Sequence, residues 1–207
     1  MRFSFLTFCF VQWISAAIVS TGVGSVRGKI ITSREVQIQY LVESVLYPVG
    51  KETLKLLPLD SKAFSQEVQD TLLESVVSLE AQNFNVMGLT NEEVKSTERK
   101  AARLLKKSEA WKDLQVAPKE LEASIRRKLQ AKKFIQFRSQ SSVIPVTDAE
   151  AQKYFNENRL KFGNLPFDNL KENIKSALSR AQVERRLKDW YDILLNKYQV
   201  KNLIAEI

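Results

Sequence analysis

The chain has 207 residues, 44% of them apolar and 27% charged, with a formal net charge of +8. That balance belongs to a protein with a packed core, not to a disordered chain. With no histidine and one cysteine, the sequence excludes Ser-His and Cys-His catalysis, His-ligated zinc and an internal disulfide.

Residues 1–25 read as a secretory leader. Arg2 supplies the positive start, Phe3 to Val19 is nearly uncharged and apolar, and the small residues Ser20 to Ser25 follow. Cleavage after Ser25 is expected, with Gly22 and Ala17 as alternative sites. An uncleaved anchor is the rival reading, since the run approaches the length that spans a bilayer. Cys9, the single cysteine, falls inside the leader, so the exported chain would carry no thiol into an oxidising compartment.

The rest, 26–207, reads as one helical domain. Its core covers 26–145, its C-terminal helices 146–198 and a closing strand 199–207. Lys29–Thr32 predicts a strand, and Thr32-Ser33-Arg34-Glu35 a capping box. A helix then runs to Tyr47 on the apolar stripe Ile38, Leu41, Val42, Val45 and Leu46. Phe64, Val68, Leu72, Val76 and Leu79 mark a second helix over 61–82. Thr90-Asn91-Glu92-Glu93 opens a third and mostly charged helix that should lie on the surface. Trp111–Val116 is a connector. Pro118 suits the first turn of a helix to about Arg138. Its stripe Leu121, Ile125, Leu129 gives way to Phe134, Ile135 and Phe137, as if the second half met a different neighbour.

Thr147-Asp148-Ala149-Glu150 caps a short helix with Tyr154 and Phe155 inward. A long helix follows over 167–198, with one stripe at Leu170, Ile174, Ala177, Leu178 and Ala181 and another at Leu187, Trp190, Tyr191, Leu194 and Leu195. Leu203, Ala205 and Ile207 alternate as a strand would. A lone strand leaves amides unsatisfied, so this one should pair with Lys29–Thr32 and bring the termini together. The fold class is therefore mainly α: about six helices, with a small two-stranded β element pairing the N- and C-terminal segments.

Several segments carry a family likeness. Gly28–Val36 resembles the opening of periplasmic chaperones of the SurA/PrsA/PpiD type. Val146–Asn158, followed by Phe162, is similar to that family's helix before its parvulin module. Phe167–Ile174, with Trp190 and Leu194, resembles the helix after it, and Val200–Ile207 the closing strand. In isomerase members the parvulin lies between the second and third of these segments. Here only Gly163-Asn164-Leu165-Pro166 separates them. The resemblance implies an ATP-independent, periplasmic holdase for unfolded secreted or outer-membrane proteins, without prolyl isomerase activity. It supplies no catalytic residue, metal or cofactor.

A holdase needs open apolar surface. Phe84, Met87, Phe134 and Phe137 are the candidate substrate-binding positions, because they fall in breaks or off the main stripes. Most other aromatic residues are assigned to the core. The basic runs Arg99-Lys100, Arg103, Lys106-Lys107, Arg126-Arg127-Lys128 and Lys132-Lys133 read first as a solvated helix face. The alternative is attraction of acidic clients or an anionic lipid surface. Nucleic acid is not an expected partner, and a homodimer stays open. An alternative function is that of a non-enzymatic interaction subunit dedicated to one envelope protein.

Overall fold

The computed structural model describes residues 20–48, 53–84 and 88–204. The chain begins with a hairpin, β1 (Gly22–Val26) and β2 (Lys29–Thr32). Its two-residue turn is Arg27-Gly28, with φ of 51° and 78°. Positive φ at both positions is the type I′ geometry that matches strand twist, and glycine takes the second position without strain.

Helices α1 (Ser33–Leu46), α2 (Lys62–Asn83), α3 (Asn91–Leu105), α4 (Glu109–Asp113) and α5 (Pro118–Ser141) follow. Then come α6 (Asp148–Glu157), α7 (Arg159–Phe162), α8 (Phe167–Lys197) and β3 (Lys201–Asn202). The protein is mainly α with a small β element, as the sequence predicts. Among the described residues, eight helices replace about six: the connector at Trp111 is a helical turn capped by Ser108, and α7 is a further turn.

The sheet has three strands, in the order β2-β1-β3, all antiparallel. The first and last described strands do meet: β3 pairs with β1 and not with Lys29–Thr32. Gly24 makes this possible. A Cβ there would lie 2.9 Å from the Lys201 carbonyl oxygen and 2.9 Å from the Leu72 side chain. Only glycine lets β1 approach β3 and α2 this closely. Val23 and Val26 point into the core from the same strand. Residues 22–25, assigned by sequence to the leader, are thus part of the central strand. A cut after Ser25 would remove four of its five residues, whereas a cut after Ala17 spares it. The expected Leu203–Ile207 alternation is described only as far as Ile204; Ala205 and Ile207 lie outside the described residues.

The end of α8 turns back through a Schellman motif. The Val200 amide donates to the Leu195 carbonyl at 3.0 Å and the Gln199 amide to Asn196 at 3.1 Å, with Gln199 at φ 49°. This reversal aims the chain at β1.

Three apolar cores organise the helices. The first joins the sheet, α2, the second half of α5 and the end of α8 through Val26, Val68, Val76, Phe134, Leu194 and Tyr198. The second joins α1, α3, α4 and the first half of α5 through Leu41, Val94, Leu105, Trp111 and Ile125. The third is a small lobe of α6, α7 and the first half of α8, built on Ala151, Phe155 and Ile174. The change of stripe along α5 is therefore a change of core, and the two stripes of α8 serve two cores in the same way.

Of the three capping boxes, only Thr147–Glu150 closes in both directions. Thr32 and Thr90 do accept from the amides of Glu35 and Glu93. Those two glutamates instead reach α5, where Glu35 meets Arg127 and Glu93 meets Lys133, each at 2.6 Å. Inter-helix ion pairs have replaced the reciprocal half of the box.

Candidate functional site

The expected groove residues come together in part. Phe84 caps the end of α2 and is 46% exposed, and Phe137 on α5 is 39% exposed. Phe134 is 1% exposed and is the hub of the cluster. Its ring centroid lies 5.4 Å from that of Phe84, 6.1 Å from Phe137 and 5.6 Å from Trp190. The reading of Phe134 as an exposed groove position is corrected: its side of α5 faces α2 and α8, and burial there gains more than exposure. Met87 lies outside the described residues. Phe84 and Phe137 form the open edges of a sealed aromatic stack.

A separate opening lies on another face of α5. A cleft of about 460 Å³ runs between α2 and α5 beside the end of α1. Tyr47, Leu73, Val77, Ala131 and Ile135 give it apolar walls, and Lys132 and Gln136 line it too. The Lys132 ammonium rests 4.1 Å from the centre of the Tyr47 ring, a cation–π distance.

The inner end of the cleft is charged. Glu43, Asp70, Glu74 and Lys128 line both the cleft and an adjoining hollow of about 130 Å³, which Glu67 and Thr71 complete. Lys128, with 5% of its side chain exposed, donates to Glu43 at 2.5 Å and to Glu74 at 2.7 Å. Arg127 holds the other Glu74 oxygen at 3.1 Å. The reading of Arg126-Arg127-Lys128 as a solvated run is corrected for Lys128, which is buried because two carboxylates repay its desolvation. Burial alone would lower its pKa, but Glu74 and Glu43 together hold it above the ordinary lysine value.

The acids do not balance. Among the described residues, neither Glu67 nor Asp70 has a cationic partner within ion-pair distance; Asp70 accepts only from Gln66, at 3.2 Å. Burial pushes the Glu67 carboxyl up to about 7, with Asp70, Glu43 and Glu74 adding to the rise against the pull of Lys128. Burial also raises Asp70. The Thr71 hydroxyl, on a residue 1% exposed, has no hydrogen-bond partner among the described residues.

Sequence reasoning missed this site. Its signal was present as Glu67, Asp70 and Glu74, at i, i+3 and i+7 along α2. Among the described residues, no group of acids could hold a metal ion, and no helix is long and apolar enough to cross a membrane. No family model matches the chain, nor does any curated protein or solved structure.

Proposed function

We propose that this protein is a holdase: it binds segments of non-native polypeptide in the periplasm, without ATP and without isomerase activity. The observation that carries the reading is the α2–α5 cleft, about 460 Å³ with mostly apolar walls. An extended segment laid in it would bury apolar surface at roughly 25 cal/mol per Å². That attraction is non-directional, so it suits clients of varied sequence and releases them readily. The exposed edges of Phe84 and Phe137 offer a second, separate apolar patch. Two weak patches on one body favour multivalent, reversible capture.

The likeness to SurA-type chaperones supports the same reading. Where isomerase members of that family carry their parvulin, α7 passes to α8 through Gly163–Pro166 alone. The apolar run over 3–19, followed by small residues, supports export.

Light scattering of an aggregating unfolded client tests the proposal. The chain in several-fold molar excess should suppress scattering, and Tyr47→Ser with Ile135→Ser should lose most of that effect while keeping a cooperative thermal melt. No suppression by the wild-type chain would overturn the reading. Binding to one peptide of an array, and to no others, would replace it with a dedicated partner subunit.

A further inference from the structure

We infer that the inner hollow of the α2–α5 cleft is a cation subsite, which takes the arginine or lysine side chain of a client segment whose flanking apolar residues occupy the cleft. The inference rests on the holdase reading and adds a preference to it. Charge complementarity argues for this occupant. Four carboxylates, Glu43 from α1 and Glu67, Asp70 and Glu74 from α2, line the hollow with one ammonium, Lys128 from α5. Lys128 is committed to Glu43 and Glu74, and Arg127 to Glu74 and Glu35. Lys132, the other cation of the cleft, stands over the Tyr47 ring. Glu67 and Asp70 therefore face the hollow without a counter-charge among the described residues.

The Thr71 hydroxyl is the independent sign. Its residue lines the same hollow and is 1% exposed, and the hydroxyl has no partner among the described residues. A buried hydroxyl without a hydrogen bond costs free energy, and the hollow is roomier than a single water requires. A guanidinium or ammonium entering from the cleft would neutralise the two acids.

Glu67 and Glu74 are partly buried among like charges, which costs stability, and such costs concentrate at functional sites. The arrangement also divides the work. The apolar walls recognise any greasy segment, and the acidic end favours those that carry a positive charge. In a chain of net charge +8, which repels basic clients at long range, a local acidic end supplies what the global field does not.

The test uses the full chain and two fluorescein-labelled apolar peptides, read by anisotropy at pH 8 and low salt. One peptide carries a central arginine; the other carries citrulline there, the uncharged isostere. Wild type should bind the arginine peptide roughly tenfold more tightly, the size of one charge-assisted hydrogen bond. In Glu67→Gln/Asp70→Asn the ratio should fall to about one, with the citrulline peptide unchanged within twofold. The single variant Glu67→Gln should show an intermediate ratio and guards against misfolding of the double one. Equal affinities on wild type would overturn the inference and leave the holdase reading intact. Displacement of the arginine peptide by free methylguanidinium at comparable concentration would overturn it in favour of a small-cation site. If neither peptide bound, the holdase reading and the inference would fail together.

Discussion

Two partly buried polar clusters share helix α2, and they are built in opposite ways. At the junction of the chain ends, Tyr198 donates to Glu80 at 2.7 Å and accepts from Asn83 at 3.1 Å. Lys197 also donates to Glu80, at 2.7 Å. Burial pushes the Glu80 carboxyl up, but Lys197 and Tyr198 overcome it and hold the group below the usual carboxylate range. In the α2–α5 cleft the sign reverses: burial wins and Glu67 rises to about 7. Both clusters involve α2, so the helix itself is not the difference. At the junction the acid is matched by donors. In the cleft the acids outnumber the cations, beside an open volume. Matched polar groups fasten a fold, and unmatched ones beside a cavity mark a place for something else.

The harshest way to break this contrast is to remove the one cation of the hollow. Lys128→Met keeps the length and apolar stem of the side chain but leaves Glu43 without its ammonium and Glu74 with Arg127 alone. Losing one partner of a buried ion pair costs about 3–5 kcal/mol. Urea unfolding should show a midpoint lowered to match, with the slope unchanged. Lys133→Ala, which breaks a half-exposed pair with Glu93, should cost about 1 kcal/mol or less.

The same contrast explains what was legible in the sequence. Helix positions are local, written in caps and in apolar spacing, so Thr32, Ser61, Thr90 and Thr147 stand as the N-caps of four helices. Even the split loyalty of α5 could be read, because Leu121 and Ile125 fall on a different stripe from Phe134. Strand β1 could not. Gly22, Gly24 and Ser25 look like a cleavage region, and the small size of Gly24 serves close packing against Leu72 and β3, a fact of tertiary structure. Phe134 misled for a related reason: an off-stripe aromatic is exposed only if no third element covers it, and α8 does. The acidic cleft needed Glu43 to meet a residue 85 positions away in sequence, Lys128, which no spacing rule encodes.

A milder change tests the matched cluster. Tyr198→Phe removes the donor to Glu80 and the acceptor of Asn83 while keeping the ring in its core. It should cost about 1–2 kcal/mol. Burial, then Glu80, pushes the Tyr198 hydroxyl from 10.0 up to about 12. A raised folded pKa means that this contribution is complete below pH 10 and lost as pH rises through about 12. Wild type should therefore lose stability across that window, and the phenylalanine variant should lose less. Glu80 acts at the other end: its lowered pKa supplies stability above about pH 4.5 that fades as pH falls. Identical alkaline profiles for the two proteins would show that Tyr198 is not a working member of the junction.

A further small effect carries the opposite sign. Glu67 titrates near 4.5 when unfolded and is pushed up to about 7 in the fold. Between these values the unfolded chain gives up its proton while the folded chain keeps it, so wild type loses stability as pH rises through this window. Glutamine never ionises and escapes that loss. Glu67→Gln should match wild type near pH 4 and exceed it by about 1 kcal/mol at pH 8, less than full linkage gives because the carboxyl retains contact with solvent. Thermal melts at the two pH values measure the difference. A gain at pH 8 alone would mean that this acid is kept at the fold's expense, which a purely structural role does not explain. A loss at pH 8 would place Glu67 among the matched groups and erase the contrast between the two clusters.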